Sequence, residues 1–175
     1  MLAVGATAAA AALMWATSVP TGDFGITMYA VLAGMAIAAA WLVRTLCSVI
    51  TTRRVSPWVP VVPVIVVLCL TATSLDIPLR LRFGAARDNF DRVVEAVSQE
   101  VDFEHPRGGL VGSYRVDSVV GHGHNVYFFI RGSGFLGSGG FAHLPSGPPV
   151  TADPIGESVT VTPLTGPWHV FSTSW

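Results

Sequence analysis

Three apolar stretches dominate the first half of the chain, at about 2–19, 26–43 and 58–75, and none holds an acid or a base in its interior. A helix rises 1.5 Å per residue, so each stretch is close to the roughly 20 residues that cross a bilayer's hydrocarbon core. The pattern therefore predicts three transmembrane helices. From Phe83 the period becomes that of an amphipathic helix: Phe90, Val93, Val94, Val97 and Val101 share one face, and Arg87, Asp88, Asp91, Arg92, Glu95 and Glu100 take the others. Beyond His105–Gly109 the period drops to two. Strands are expected at 114–119, 126–131, 158–162 and 168–172, with a short one near 140–143. The expected fold is a membrane α-helical region, residues 1–75, followed by a small extracytoplasmic α+β domain, residues 76–175. In that domain one amphipathic helix packs on an antiparallel sheet of about four strands.

Composition sharpens this division. Over all 175 residues only 12% are charged and mean hydropathy is +0.56, which is too apolar for an ordinary soluble domain. The average conceals two unlike pieces. Residues 1–75 carry Asp23, Arg44, Arg53 and Arg54 alone, whereas residues 76–175 carry seven Arg and ten acids. A net charge of -1, with no basic run longer than Arg53-Arg54, argues against a nucleic-acid partner. Spans without charge argue against a proton pump or an ion-coupled transporter.

The three arginines between the second and third stretches set a direction, because positively charged loops stay cytoplasmic. They outnumber Arg80 and Arg82 after the third stretch. The reading is a multi-pass cell-membrane protein with a cytoplasmic N-terminus and an extracytoplasmic C-terminal domain. Met1–Trp15 has no Lys or Arg, unlike the basic start of a secretory signal, so the first span is expected to be retained. The short link Pro20–Gly25 folds the first two spans into an antiparallel hairpin. Ala30, Gly34 and Ala38 on the second span, and Gly5 and Ala9 on the first, have the spacing that lets membrane helices approach closely. Cys47 and Cys69 fall at different depths and are not expected to pair.

Within the second half, Gly112–Val116, Gly134-Phe135-Leu136, Gly140–Pro149 (GFAHLPSGPP) and Gly166–Phe171 (GPWHVF) form a recurrent-looking pattern. It resembles an uncharacterised family of small membrane-anchored proteins from high-GC Gram-positive bacteria. The resemblance implies the same membrane-plus-exported-domain architecture and brings no activity, cofactor or site residue.

Candidate chemistry is sparse. Gly132–Gly137 matches G-x-G-x-x-G, but no helical period follows to receive a pyrophosphate, so it reads as a glycine-rich strand connection. All five histidines lie in the second half. His122 and His124, two apart on an extended chain, share a face and supply two candidate zinc ligands; a third must come from His143, His169, Glu104 or Asp102 through folding. No cofactor is otherwise expected, and no Ser-His-acid or Cys-His arrangement is recognisable. Aromatic residues are numerous, and Phe135, Phe141, Trp168 and Trp175 are candidates for an exposed interaction patch. The expected function is a non-enzymatic accessory or interaction protein of the bacterial cell envelope. Its expected partners are the lipid bilayer and a membrane or envelope protein, with homo-oligomers also open. The alternative is a metal-dependent exported enzyme or metal-sensing module using the histidine cluster.

Overall fold

The computed structural model describes residues 2–52, 59–97, 102–105, 109–133, 137–148 and 158–174. They fall into two compact units, residues 1–17 with 25–78, and residues 18–24 with 79–175. The units divide between Pro78 and Leu79, where the sequence pattern suggested a division after residue 75. The segment expected to be a simple interhelical turn, however, belongs to the second unit.

The first unit is helical: α1 (Leu2–Ala16), α2 (Phe24–Thr52) and α3 (Val61–Ser74). Small residues bring the helices together. A Cβ placed on Gly5 of α1 lies 3.4 Å from Ile37 Cδ1 of α2, and Cys69 of α3 approaches the Ala10 carbonyl at 3.7 Å. The Trp41 indole donates to the Val59 carbonyl at 3.2 Å, tying α2 to the start of α3.

The helix lengths differ from the expectation. At 29 residues α2 extends about 43 Å, ample for a bilayer, whereas α1 and α3, at 15 and 14 residues, reach only about 22 Å. Among the described residues α2 alone is long and apolar enough to cross a membrane by itself, and α3 passes the test only together with α4 as one broken span. So one or two helices qualify, where the hydropathy pattern predicted three. Hydropathy counts apolar residues but does not register where the helix stops. Here α1 stops before a turn in which Thr21 and Gly22 have φ of 61° and 72°, and α3 stops at Leu75–Asp76, where Asp76 has φ 53°.

The second unit consists of the loop 18–24, most of α4 (Ile77–Val97) and seven strands: β1 (Asp102–His105), β2 (Gly109–Val111), β3 (Tyr114–His122), β4 (Asn125–Ile130), β5 (Gly137–His143), β6 (Ser158–Thr165) and β7 (Trp168–Ser174). The sheet is antiparallel throughout, in the order β1-β3-β4-β5-β7-β6, with β2 pairing β3 beside β1. The predicted helix-on-sheet arrangement is present. β1 and β2, four and three residues long, were too short to register as alternation. Val101, assigned above to the helix, lies outside the described residues.

Alternation along the strands builds two cores. Phe128, Phe141 and Trp168 join Phe83, Ala86 and Phe90 of α4, while their neighbours Tyr127, Ala142 and Phe171 form a second cluster with Leu144. Phe90 is fully buried, with the rings of Phe83, Tyr114, Phe128, Phe141 and Trp168 between 5.1 and 5.9 Å away, mostly edge to face.

The loop 18–24 is held to this domain by identifiable contacts. Val19 packs on the larger core, the Tyr114 hydroxyl donates to the Ser18 carbonyl at 3.1 Å, and Arg82 donates to Ser18 Oγ at 2.8 Å. Arg82 also bonds the Ser113 carbonyl and lies 4.3 Å from the centre of the Tyr114 ring. Burial pushes the Tyr114 phenol well above its usual value, partly offset by the Arg82 charge, so the hydroxyl remains a donor. Tyr114→Phe is expected to cost about 1 kcal/mol and to raise hydrogen exchange in residues 18–24 first, because it removes a bond and leaves the Ser18 carbonyl with one fewer donor.

Candidate ligand cavity and partner surface

The histidines are redistributed by the fold. β3 and β4 are joined by a two-residue turn, Gly123-His124, closed by the pair His122↔Asn125. Gly123 has φ 59° and His124 does not have a positive φ, which is the type II′ pattern with glycine at the first loop position. The turn breaks the extended geometry on which the His122/His124 pairing depended. His122 ends β3, opposite Asp102 of β1, and is exposed. His124 instead lines a cavity of ≈ 220 Å³ together with His143, Val94, Val97, Val126 and Pro145.

Register explains why His124 and His143 line the same cavity. Val126 pairs His143 across β4 and β5, and His124 precedes Val126 by two residues. Phe141, two residues before His143, faces α4, so this part of the sheet shares the cavity with Val94 and Val97 of α4. The His143 ring stacks edge-on against Trp168 at 5.1 Å, and Trp168 in turn donates its indole N–H to Asp91 at 3.0 Å. Nδ1 of His143 is buried and has no hydrogen-bond partner. His169 lies elsewhere, its Nδ1 3.1 Å from the Pro167 carbonyl. Among the described residues no three His, Cys, Asp or Glu side chains gather as a metal site.

Burial lowers the His143 pKa, and Asp91 opposes this in part. An imidazole depressed in the folded state binds its proton more readily when unfolded. The stability it confers is therefore fully present above the unfolded value of about 6.5 and is lost as pH falls through the lower folded value. Between about pH 7.5 and pH 5, amide protection of β5 and β7 is expected to fall in the wild type and to fall less in His143→Gln, measured by hydrogen exchange on the full chain.

The aromatic patch is corrected by the packing. Phe141 and Trp168 are fully buried beneath α4, so they are core residues and present no surface; Phe135 and Trp175 lie outside the described residues. Leu81 on α4 and Leu110 on β2 are the most exposed large apolar side chains among the described residues of this unit, at 69% and 72%, and Leu110 lies beside a shallow depression of ≈ 310 Å³ shared with Asn89, Arg92, Val93 and Ala96 of α4. Composition gave no hint of it, because a lone leucine in a three-residue strand carries no periodic signal.

Gly132–Gly137 joins β4 to β5, two antiparallel strands, and so does not open a helix as a dinucleotide site requires. Ser133 organises its described part, donating to the Ile130 and Gly139 carbonyls and accepting from the Gly139 amide.

No family model, no curated protein and no solved structure matches this chain.

Proposed function

We propose that the chain is a multi-pass membrane protein that holds an α+β domain outside the cytoplasm and binds another envelope protein through it. The observation that carries the membrane part is the surface of α2. Its apolar window is only 6% buried, and Tyr29, Met35, Val43 and Ile50 expose most of their side chains. An apolar surface of that extent needs lipid or protein to cover it.

The loop 18–24 supports the direction. It precedes α2 and shares a unit with residues 79–175, whereas Arg44 lies in the second half of α2 and Arg53 and Arg54 follow that helix in the sequence. A loop and a domain that fold together occupy one side of a bilayer. An odd number of crossings then follows for a chain whose N-terminus is cytoplasmic. In this reading α1 and α3 cross as short helices, accommodated by local thinning and by packing on α2.

In a Cys47→Ser, Cys69→Ser background, Ser146→Cys is expected to react with a membrane-impermeant maleimide on intact cells. Thr51→Cys is expected to react only after permeabilisation. The reverse pattern rejects the orientation. For the partner, Leu110 and the α4 face beside it replace the aromatic residues as the contact surface. Leu110→Ser is expected to leave the fold intact and to remove crosslinked adducts seen in native membranes by mass spectrometry; unchanged adducts reject this surface.

A further inference from the structure

We propose that the cavity between α1, α2 and α3 holds one acyl chain of a membrane phospholipid; this rests on the reading of the chain as a membrane protein and adds a lipid site to it. The cavity measures ≈ 290 Å³ and lies wholly within the first unit. Packed interiors leave few voids larger than a water molecule, so a space of this size calls for an occupant. Buried Ala6, Ala30, Val62 and Cys69 form its floor. Its lips are two rows of exposed side chains, Val31 and Met35 on α2 and Val66 and Leu70 on α3, each pair about one helical turn apart. The opening therefore faces outward between α2 and α3. A Cβ added to Gly34 on its wall meets no atom within 4 Å, whereas α1 and α2 come into contact at Gly5 and Ile37.

Chemistry and shape select the occupant. The described walls carry no charge, hydroxyl or amide side chain, and the Cys69 thiol already lies 3.7 Å from the Ala10 carbonyl. A water molecule in a cavity needs about two to four polar partners, so these walls disfavour water and polar ligands and favour hydrocarbon. The lining runs over Ala30–Ala38 on α2 and Val62–Leu70 on α3, equal spans that make the cavity a slot along the helices, about 12 Å long. Its volume spread over that length leaves a width of about 5 Å. Such a slot admits a single methylene chain lengthwise and excludes a second copy's helix, which is about 10 Å across with its side chains. Val31 and Met35 belong to the exposed apolar surface of α2 that lipid covers in the membrane reading, so bilayer chains reach the slot directly. The slot lies in the Phe24 half of α2 and takes its chain from the leaflet at that end.

The test places the full-length protein in phosphatidylglycerol and phosphatidylcholine vesicles that contain a phosphatidylcholine with a diazirine on one acyl chain. Illumination inserts that chain into nearby bonds, and mass spectrometry maps the adducts. The expected map shows adducts on Cys69, buried on the floor of the slot, and on Val43 and Ile50, exposed on α2 outside it. Gly34→Leu should cut the Cys69 adducts by about tenfold or more, the usual effect of added methylenes in an apolar pocket, and leave those on Val43 and Ile50 unchanged. Gly34 has open space at its Cβ, and leucine favours a helix over glycine, so the variant keeps its fold; the wild-type map is decisive without it. Adducts on Val43 and Ile50 with none on Cys69, or Cys69 adducts indifferent to Gly34→Leu, overturn the lipid site and leave the membrane reading in place. No adducts at any of the three positions overturn both. Loss of the Cys69 adducts on adding palmitate equimolar with the photolipid assigns the slot to free fatty acid and overturns the phospholipid.

Discussion

Replacing Gly140 with alanine is expected to unfold the second unit or to weaken it by about 3 kcal/mol or more. Gly140 sits in β5 between β4 and β7, paired with Phe129 on one side and Phe171 on the other. A Cβ there overlaps the Phe128 carbonyl oxygen and comes within 3.0 Å of the Phe171 ring. A flexible side chain can move aside from an added methyl, but a carbonyl inside a sheet can move only with its strand. Relief therefore means separating β4 from β5, which breaks ladder bonds and opens both cores. Gly109, at the sheet's flank in β2, has no atom within 4 Å of the corresponding position and an ordinary φ, so Gly109→Ala serves as a control with little effect. Hydrogen exchange and limited proteolysis of the two full-length variants compare them directly. Equal protection of β4 and β5 in both rejects the steric account.

The second large effect belongs to Phe90→Ala, expected to cost about 3–5 kcal/mol. Phe90 is fully buried at the point where α4 meets the sheet, ringed by five aromatic side chains. Those rings are rigid and held by their own strands, so they cannot collapse into the space left by a lost phenyl. The cavity remains, and its cost adds to the lost burial. A domain of this size has a total stability of about 5–15 kcal/mol, so the variant consumes a large part of it. Phe90→Leu, which refills part of the volume, is expected to recover a portion of the loss. Thermal unfolding followed by near-ultraviolet circular dichroism checks both variants. A Phe90→Ala protein melting within a degree or two of the wild type removes α4 from the account of the core.

How much of this was legible beforehand differs from element to element. The helical face Phe90, Val93, Val94 and Val97 and the alternation of β3, β4, β6 and β7 reflect local periodicity, and these elements formed where they were expected. β1 and β2 were not, since three or four residues give too few alternations to count. The membrane spans were overcounted for a related reason. Hydropathy sums side chains, whereas helix length depends on backbone breaks at Thr21–Gly22 and Leu75–Asp76.

The candidate site was legible only in its ingredients. His124 and His143 are nineteen positions apart and come to line one cavity through the Val126↔His143 register, which no local pattern encodes. Their expected companion His122 is removed by a two-residue turn. Phe141 and Trp168, read as surface on aromatic content alone, are buried because α4 lies across their face of the sheet. The sequence by itself determined the division into an apolar helical piece and a charged α+β piece, because burial in lipid or in a core is a property of single side chains summed over a window. It also determined the elements whose period is short compared with their length. Tertiary structure alone decided which face of the sheet is covered, which histidines share a cavity, and that residues 18–24 join the second unit. Each of those depends on contacts between residues far apart in the chain, where strand register and side-chain shape choose the partner.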